Sequence, residues 1–272
     1  MSHNPLQKGI TDYLYPDISD ALTYKLIAQN SPYPDYWYQS ELFVLKIVRQ
    51  QIIDRFKGNH ISLLDAGCGF GRLVPEFHDL FNEITAIEPD EVRFKYAKKL
   101  IDKQGIYEKV RYFNVSIEQF KPDHTYDVIL CSHVIQHVHT NVYLTILGKL
   151  ISMLSEGGLL VILTNHSRSS ADYFVKGSTE KGRYIETRIS ESQFNSLTQN
   201  NEGILPIRFF SMNGLKKTLS MLEAPVIKTR NFHILGNYYG LDKIIFRDRL
   251  VNGIPWLKTK VGRDMMLLAA KL

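Results

Sequence analysis

The stretch ISLLDAGCGFGR, residues 61–72, restricts what this chain can become more than any other. Ile61, Leu63 and Leu64 make a short apolar run that reads as a buried strand, and it closes on an acid, Asp65. Three glycines follow at alternate positions, Gly67, Gly69 and Gly71, before an amphipathic segment from Leu73 to Phe81 that predicts a helix. Glycine accepts the positive φ of a sharp turn and lets a ligand approach the backbone closely. The helix start beyond it presents unpaired N–H groups that suit a negative group. In open α/β sheets ligands gather at the carboxyl ends of the strands. A nucleotide is therefore the expected occupant of this turn.

Its spacing is G-x-G-x-G, not the G-x-G-x-x-G of a dinucleotide site. The next apolar run, Ile84 to Ile87, ends in Glu88, twenty-three residues after Asp65. A carboxylate there can accept from both hydroxyls of a ribose. The form D-x-G-x-G-x-G, followed by a strand ending in Glu, resembles the class I S-adenosylmethionine-dependent methyltransferases from about Ser62 to about Leu163. The resemblance implies an α/β fold: a Rossmann-like, seven-stranded, mostly parallel sheet with helices on both faces. It also implies S-adenosyl-L-methionine as cofactor, held by Asp65, Gly67, Cys68, Gly69, Gly71, Arg72, Glu88 and Pro89. Ser116, Ile117, Cys131 and Ser132, at the ends of the third and fourth strands, complete that expected set. Arg72 suits the carboxylate of the methionine end. Where the family often has an acid for the adenine amino group, this chain has Ser116, which accepts one hydrogen bond without charge.

The remaining elements are expected as follows. Asp17–Asn30 and Glu41–Lys57 have helical period, and the resemblance makes residues 1–57 an N-terminal helical lid ahead of a domain at 58–272. Between them Tyr36, Trp37 and Tyr38 either close the site, Tyr38 over the cofactor and the other two over the substrate, or pin the helices to the sheet. Asp90 suits the N-cap of a helix over Glu91–Lys103. Val110–Asn114, Tyr126–Ser132 and Leu159–Leu163 read as strands three to five, with a helix over Asn141–Ser155 that Glu156-Gly157-Gly158 should stop. An insertion at about 167–206, with a short helix at Glu191–Leu197, is the expected substrate wall. A helix capped by Ser211 and two strands, Ala224–Leu235 and Asp264–Leu272, close the chain around an excursion at about 236–263.

Composition limits the functions open to such a fold. The 272 residues carry a net charge of +5 with acids and bases interleaved, so no nucleic-acid-binding stripe is expected. Two cysteines make no disulfide scaffold, and a reducing, cytoplasmic location is the default. The longest apolar run, Met265–Ala270, is too short to cross a bilayer, so no integral membrane association is expected.

Chemistry is expected after the fourth strand, where the resemblance places the transferable methyl group. His133 and His137 are the catalytic candidates, since either can take a proton near neutral pH. Four apart, they share a face if the segment is helical; a backbone-bonded, structural histidine is the competing reading for each. No third ligand accompanies them, so no metal is expected. His166, Arg168 and Tyr173 follow the fifth strand and, with Tyr36 and Trp37, are the candidate substrate contacts. The expected function is methyl transfer to a small-molecule acceptor, anionic or aromatic, at a carboxylate or hydroxyl oxygen in specialised metabolism. Two alternatives stand beside it: an N-methyltransferase for a peptide or protein amine, and a cofactor-binding partner subunit without turnover. The segment VRYFNVSIEQFKPDHTYDVILCSHVIQHV resembles the protein N-terminal α-amine methyltransferases, which have a tryptophan where this chain has His133.

Overall fold

Every residue of the first strand, β1 (Ser62–Ala66), is buried, the polar Ser62 and Asp65 included, as a central strand covered on both faces requires. The structure, a computed structural model, describes residues 33–180, 183–199, 205–234, 252–254, 256–257 and 260–272. The expected helix Asp17–Asn30 lies outside them, as does most of the excursion at 236–263. A long helix, α1 (Tyr33–Phe56), leads into β1, and a short one, α2 (Val74–Phe77), follows the glycine turn. Then come β2 (Glu83–Ile87), α3 (Glu91–Lys103), β3 (Val110–Phe113), β4 (Tyr126–Ser132) and α4 (Tyr143–Ser152). The last strands of the main sheet are β5 (Leu154–Asn165), β9 (Val226–Phe232) and β10 (Asp264–Ala270). The order is β3-β2-β1-β4-β5-β10-β9, with β10 antiparallel to both neighbours and the other pairings parallel. The expected seven-stranded sheet is present, with an apolar cluster on each face.

Caps set the helix starts where the sequence placed them. Asp90 Oδ1 accepts from Val92 N at 3.0 Å and Arg93 N at 2.9 Å. Ser211 Oγ accepts from Gly214 N at 3.3 Å to start α6 (Met212–Met221). Two expectations are corrected. The helix from Leu73 to Phe81 is a single α turn continued by a 3-10 turn, His78–Leu80. Glu156-Gly157-Gly158 does not stop a helix; it lies inside β5, where the register jumps from Tyr126–Leu154 to Val128–Leu159. Gly157 takes φ +71° there, and a Cβ on Gly158 would meet Ser155 O at 2.8 Å, so the pair builds a bulge.

The insertion after β5 is a second, antiparallel sheet. Its strands β6 (Tyr173–Glu180), β7 (Arg183–Ile189) and β8 (Leu205–Phe209) run in the order β7-β6-β8, with α5 (Glu191–Gln199) between the last two in sequence. Phe194 of α5 packs on Phe174 of β6, ring centres 4.9 Å apart. Phe210 N donates to Asn165 O at 3.0 Å and Ser167 N to Phe210 O at 2.8 Å, joining this sheet to the carboxyl end of β5. Arg208 bonds Asp172 and lies over the rings of Tyr143 and Phe210, which fixes the sheet against α4.

At the opposite ends of the strands, Asp127 stitches the sheet together. Its Oδ2 accepts from Ser62 N at 2.9 Å, while Oδ1 accepts from Ser155 Oγ at 3.0 Å, so one side chain joins β1, β4 and β5. Asp127→Ala should lower unfolding free energy by about 1–3 kcal/mol, the cost of stranding partly buried donors. Denaturant unfolding checks this, and an unchanged midpoint would show that water replaces the carboxylate without loss.

Candidate active site

The glycine turn is built by its backbone. Gly67 N and Cys68 N both donate to Ile87 O, each at 2.9 Å, which ties the end of β1 to the end of β2. Gly67, Gly69 and Gly71 all have positive φ, at 80°, 55° and 75°. A Cβ on Gly67 would lie 2.5 Å from Val134 Cγ2, and one on Gly71 would lie 3.0 Å from Ala97 Cβ. Gly69 has nothing within 4 Å at that position, so its bare side opens on a cleft.

That cleft is lined by Gly67, Cys68, Gly69, Phe70, Arg72, Glu88, Pro89, Ser116, Ile117, Ser132, His133 and His137 among others. Glu88 forms its buried end. Its Oε2 accepts from Gly69 N at 2.9 Å and its Oε1 from Asp90 N at 3.0 Å. Burial pushes the Glu88 carboxyl above the usual range, while the two amides and Arg93 pull the other way. Asn114 Nδ2 donates to the carbonyls of Glu88 and Pro89 and so holds this corner. Beneath the turn Asp65 is buried, its Oδ2 lacks a hydrogen-bond partner, and burial pushes its carboxyl up to about 7. A turn with an open glycine and an inward carboxylate fits a nucleoside, whereas Asp65 and Gly71, expected as cofactor contacts, lie behind the cleft and do not line it.

Arg72 is engaged by the protein. Its Nη1 and Nη2 donate to the two oxygens of Glu41, on α1, at 2.6 and 2.8 Å, and Nη2 lies 3.4 Å from Ser132 Oγ. The Arg72 guanidinium and the nearby histidines hold the Glu41 carboxyl below the usual range although burial opposes them.

His133 and His137 do not share a helical face. His133 takes φ +56°, outside the 3-10 turn Ile135–His137, with its N–H on Leu163 O at 2.8 Å. A left-handed backbone at a non-glycine residue costs energy and is common where a side chain is aimed for function. The two rings instead meet one amide: His133 Nδ1 lies 3.2 Å from Gln136 Oε1, and His137 Nε2 lies 3.2 Å from Gln136 Nε2. His137 Nδ1 bonds Pro206 O at 2.7 Å, and burial pushes this imidazole down to about 3. It is held neutral, with both nitrogens on protein, and that geometry corrects the reading of His137 as a base. Burial also lowers His133, against the pull of Asp264 and Glu41.

Other expected contacts fall elsewhere. Cys131 is wholly buried in the core, with Ile129 and Leu64. His166 is buried, its Nδ1 near the carbonyls of Val261 and Gly262. Arg168 is exposed, and Tyr173 stacks on Phe209 beneath Arg188. Neither these three residues nor Cys131 line the cleft. Tyr36, Trp37 and Tyr38 lie on the α1 backbone, but their side chains are outside the described part. The sequence reading missed Glu41, Phe70, Arg93 and Gln136. It also missed a buried polar group behind His133, in which Asp264 bonds His233 and takes Asn165 Nδ2 at 2.6 Å. Only Phe70, inside the glycine motif, carried a signal that could have found it.

The state of Asp65 gives the site a pH signature. The folded protein keeps its proton up to about pH 7, whereas the unfolded chain releases it near the ordinary value of 3.8. Between those limits the folded state binds more protons, so this group's contribution makes stability fall as pH rises. Asp65→Asn should therefore gain on the wild type, in unfolding free energy, between about pH 4 and about pH 7. Urea unfolding at both ends of that window checks it, and a constant difference would contradict it.

Residues 63–158 match a family model described as a methyltransferase domain. A ubiquinone biosynthesis O-methyltransferase of Rickettsia prowazekii is 29% identical over 130 residues, 46% of this chain and 50% of that protein. One from Rhodopseudomonas palustris is 31% identical over 104 residues, 38% of this chain and 40% of that protein. The matches thus span about half the length of these curated relatives, or less. Among solved structures, a magnesium protoporphyrin IX methyltransferase from Synechocystis with bound S-adenosylhomocysteine superposes with TM-score 0.60 at 13% identity, covering 97% of this chain and 98% of that one. A Burkholderia thailandensis 1,6-didemethyltoxoflavin-N1-methyltransferase does so with TM-score 0.54 at 16% identity, covering 93% and 88%. The sheet order, the glycine turn and these likenesses show that the chain has the class I S-adenosylmethionine-dependent methyltransferase fold, with residues 63–158 similar to the methyltransferase-domain model.

Proposed function

We propose that this protein transfers a methyl group from S-adenosylmethionine to a hydroxyl oxygen of a small-molecule acceptor. The observation that carries the reading is Glu88 against the open side of Gly69: each carboxylate oxygen takes one backbone N–H and keeps a lone pair for a ribose hydroxyl. Ser116 and Ile117 line the same cleft and suit the adenine end. Arg72, held end-on by Glu41, keeps its Nε edge for the carboxylate of the methionine end. When bound, S-adenosylmethionine supplies an electrophilic methyl group on a positive sulfur. The protein's part is alignment, worth ~7–11 kcal/mol of the barrier, and acceptance of the acceptor's proton, worth roughly 10² to 10⁴ in rate. His133 suits the second task, since burial keeps its imidazole neutral at pH 7. The curated relatives named above are O-methyltransferases, which supports oxygen as the acceptor atom.

A panel of small phenols, small carboxylic acids and peptides with free amino ends, assayed for methyl incorporation, tests the reading. Incorporation into phenols supports it; incorporation into peptides alone overturns it, and binding of S-adenosylhomocysteine without turnover on any acceptor favours a partner subunit. Glu88→Ala should weaken S-adenosylhomocysteine binding by about 1–3 kcal/mol in calorimetry, and an unchanged dissociation constant would count against the ribose assignment. Arg72→Ala should weaken S-adenosylhomocysteine about tenfold or more, yet leave methylthioadenosine, which lacks the amino-acid end, nearly unaffected. Equal losses for the two ligands would remove Arg72 from that role.

A further inference from the structure

The amide of Gln136 lies in a buried network whose proton positions can be solved one at a time. Asn165 N–H can only donate, and it lies 3.2 Å from one amide atom of Gln136, which must therefore be the oxygen. Thr164 Oγ1 reaches the same oxygen at 3.3 Å. With the amide oriented, Gln136 Nε2 donates, so His137 Nε2, 3.2 Å away, is an acceptor. The His137 proton then sits on Nδ1, where the Pro206 carbonyl at 2.7 Å needs a donor. Turning the amide over would set two donors face to face at Asn165. It would also demand a proton on both nitrogens of His137, in a site where burial disfavours the charge.

The same Gln136 oxygen lies 3.2 Å from His133 Nδ1, so the proton of His133 belongs on Nδ1 and the lone pair on Nε2. Among the described residues Nε2 has no hydrogen-bond partner, it is not sealed from solvent, and the ring lines the cleft. The ring's edge contact with Phe232, centres 6.5 Å apart, and the bond from His133 N to Leu163 O hold the residue in its left-handed conformation. Among the described residues the charged and titratable groups around it are Asp264 of β10, Glu41 of α1, Arg72 of the glycine turn, His233 after β9 and His137 across the Gln136 amide.

We propose that Gln136 is a positioning residue: it holds His133 as the Nδ1–H tautomer, so that Nε2 accepts a proton from the substrate. The Nε2–H bond forms as the acceptor's O–H bond breaks, and the freed oxygen pair becomes the nucleophile. A carboxylate has no such proton to give, so this arrangement disfavours a carboxylate acceptor; the choice of a hydroxyl over an amine stays with the function proposed above. The substrate half of the statement rests on the function proposed above, whereas the tautomer does not.

Imidazole nitrogen NMR of the full chain, labelled at histidine and held above the histidine titration range, reads the tautomer directly; His133→Gln identifies the resonance. The expected wild-type spectrum shows His133 protonated on Nδ1, and a proton on Nε2 would overturn the proposal. In Gln136→Met the ratio of Nδ1–H to Nε2–H forms should fall roughly fivefold, the change one net hydrogen bond supports. An unchanged ratio in a variant with wild-type thermal unfolding would overturn the role of Gln136. Should Gln136→Met not fold, Gln136→Glu carries the test. It keeps an oxygen toward His133 and Asn165 and adds a charge, so His133 should titrate about one unit higher; an unmoved titration would overturn the proposal. Calorimetry with S-adenosylhomocysteine on the wild-type sample separates the two readings. Absent binding overturns the proposed function and leaves the tautomer standing.

Discussion

Two amide protons share one acceptor at the centre of this protein. Gly67 N and Cys68 N both point at Ile87 O, and that shared carbonyl locks the end of β1 to the end of β2. From it the turn's shape follows: the chain must reverse with φ positive at Gly67, and Val134 fills the space a side chain would need. The next amide, Gly69 N, is thereby delivered to Glu88 Oε2. A β-carbon at Gly67 would push Val134, and with it the loop after β4 that carries His133. The glycine turn and the loop after β4 are coupled through that contact.

A second constraint joins the loop after β4 to the added sheet. Gln136 takes its donors from Thr164 and Asn165 at the end of β5, and His137 passes the connection to Pro206 on β8. The three-stranded sheet is thus tied to the loop that holds His133, as well as to β5 by the bonds of Phe210. On the other side Glu41 reaches from α1 to Arg72, so the helix that precedes the sheet is also held at the cleft. Both flanking elements meet the core domain at charged or polar groups that line the cleft or adjoin its lining.

Elements with one period and a clear stop were legible in the sequence. β1, β2 and β4 announced themselves as apolar runs ending at chemically marked residues, and Asp90 and Ser211 cap the helices they were expected to cap. The added sheet was not legible, because Lys176, Gly177, Glu186 and Arg188 dilute its alternation and its apolar residues serve two separate faces. Gly157-Gly158 resembled a helix stop by local chemistry, yet the pairing of β4 with β5 draws the chain into a bulged strand. Strand alternation would have separated Cys131 from Ser132, since neighbours point to opposite faces and only Ser132 lines the cleft. Partners far apart in sequence left no trace: Glu41 and Arg72, or Gln136 and Asn165, are joined by the fold alone.

The central claim is that the corner between β1 and β2 holds an adenosine whose sulfur arm runs toward His133. A crystal structure of the chain with S-adenosylhomocysteine tests it most directly. The account predicts ribose hydroxyls on Glu88, the homocysteine carboxylate on Arg72, and the sulfur's open side toward His133 Nε2. A ligand seated elsewhere, or one whose sulfur faces away from the loop after β4, would contradict it.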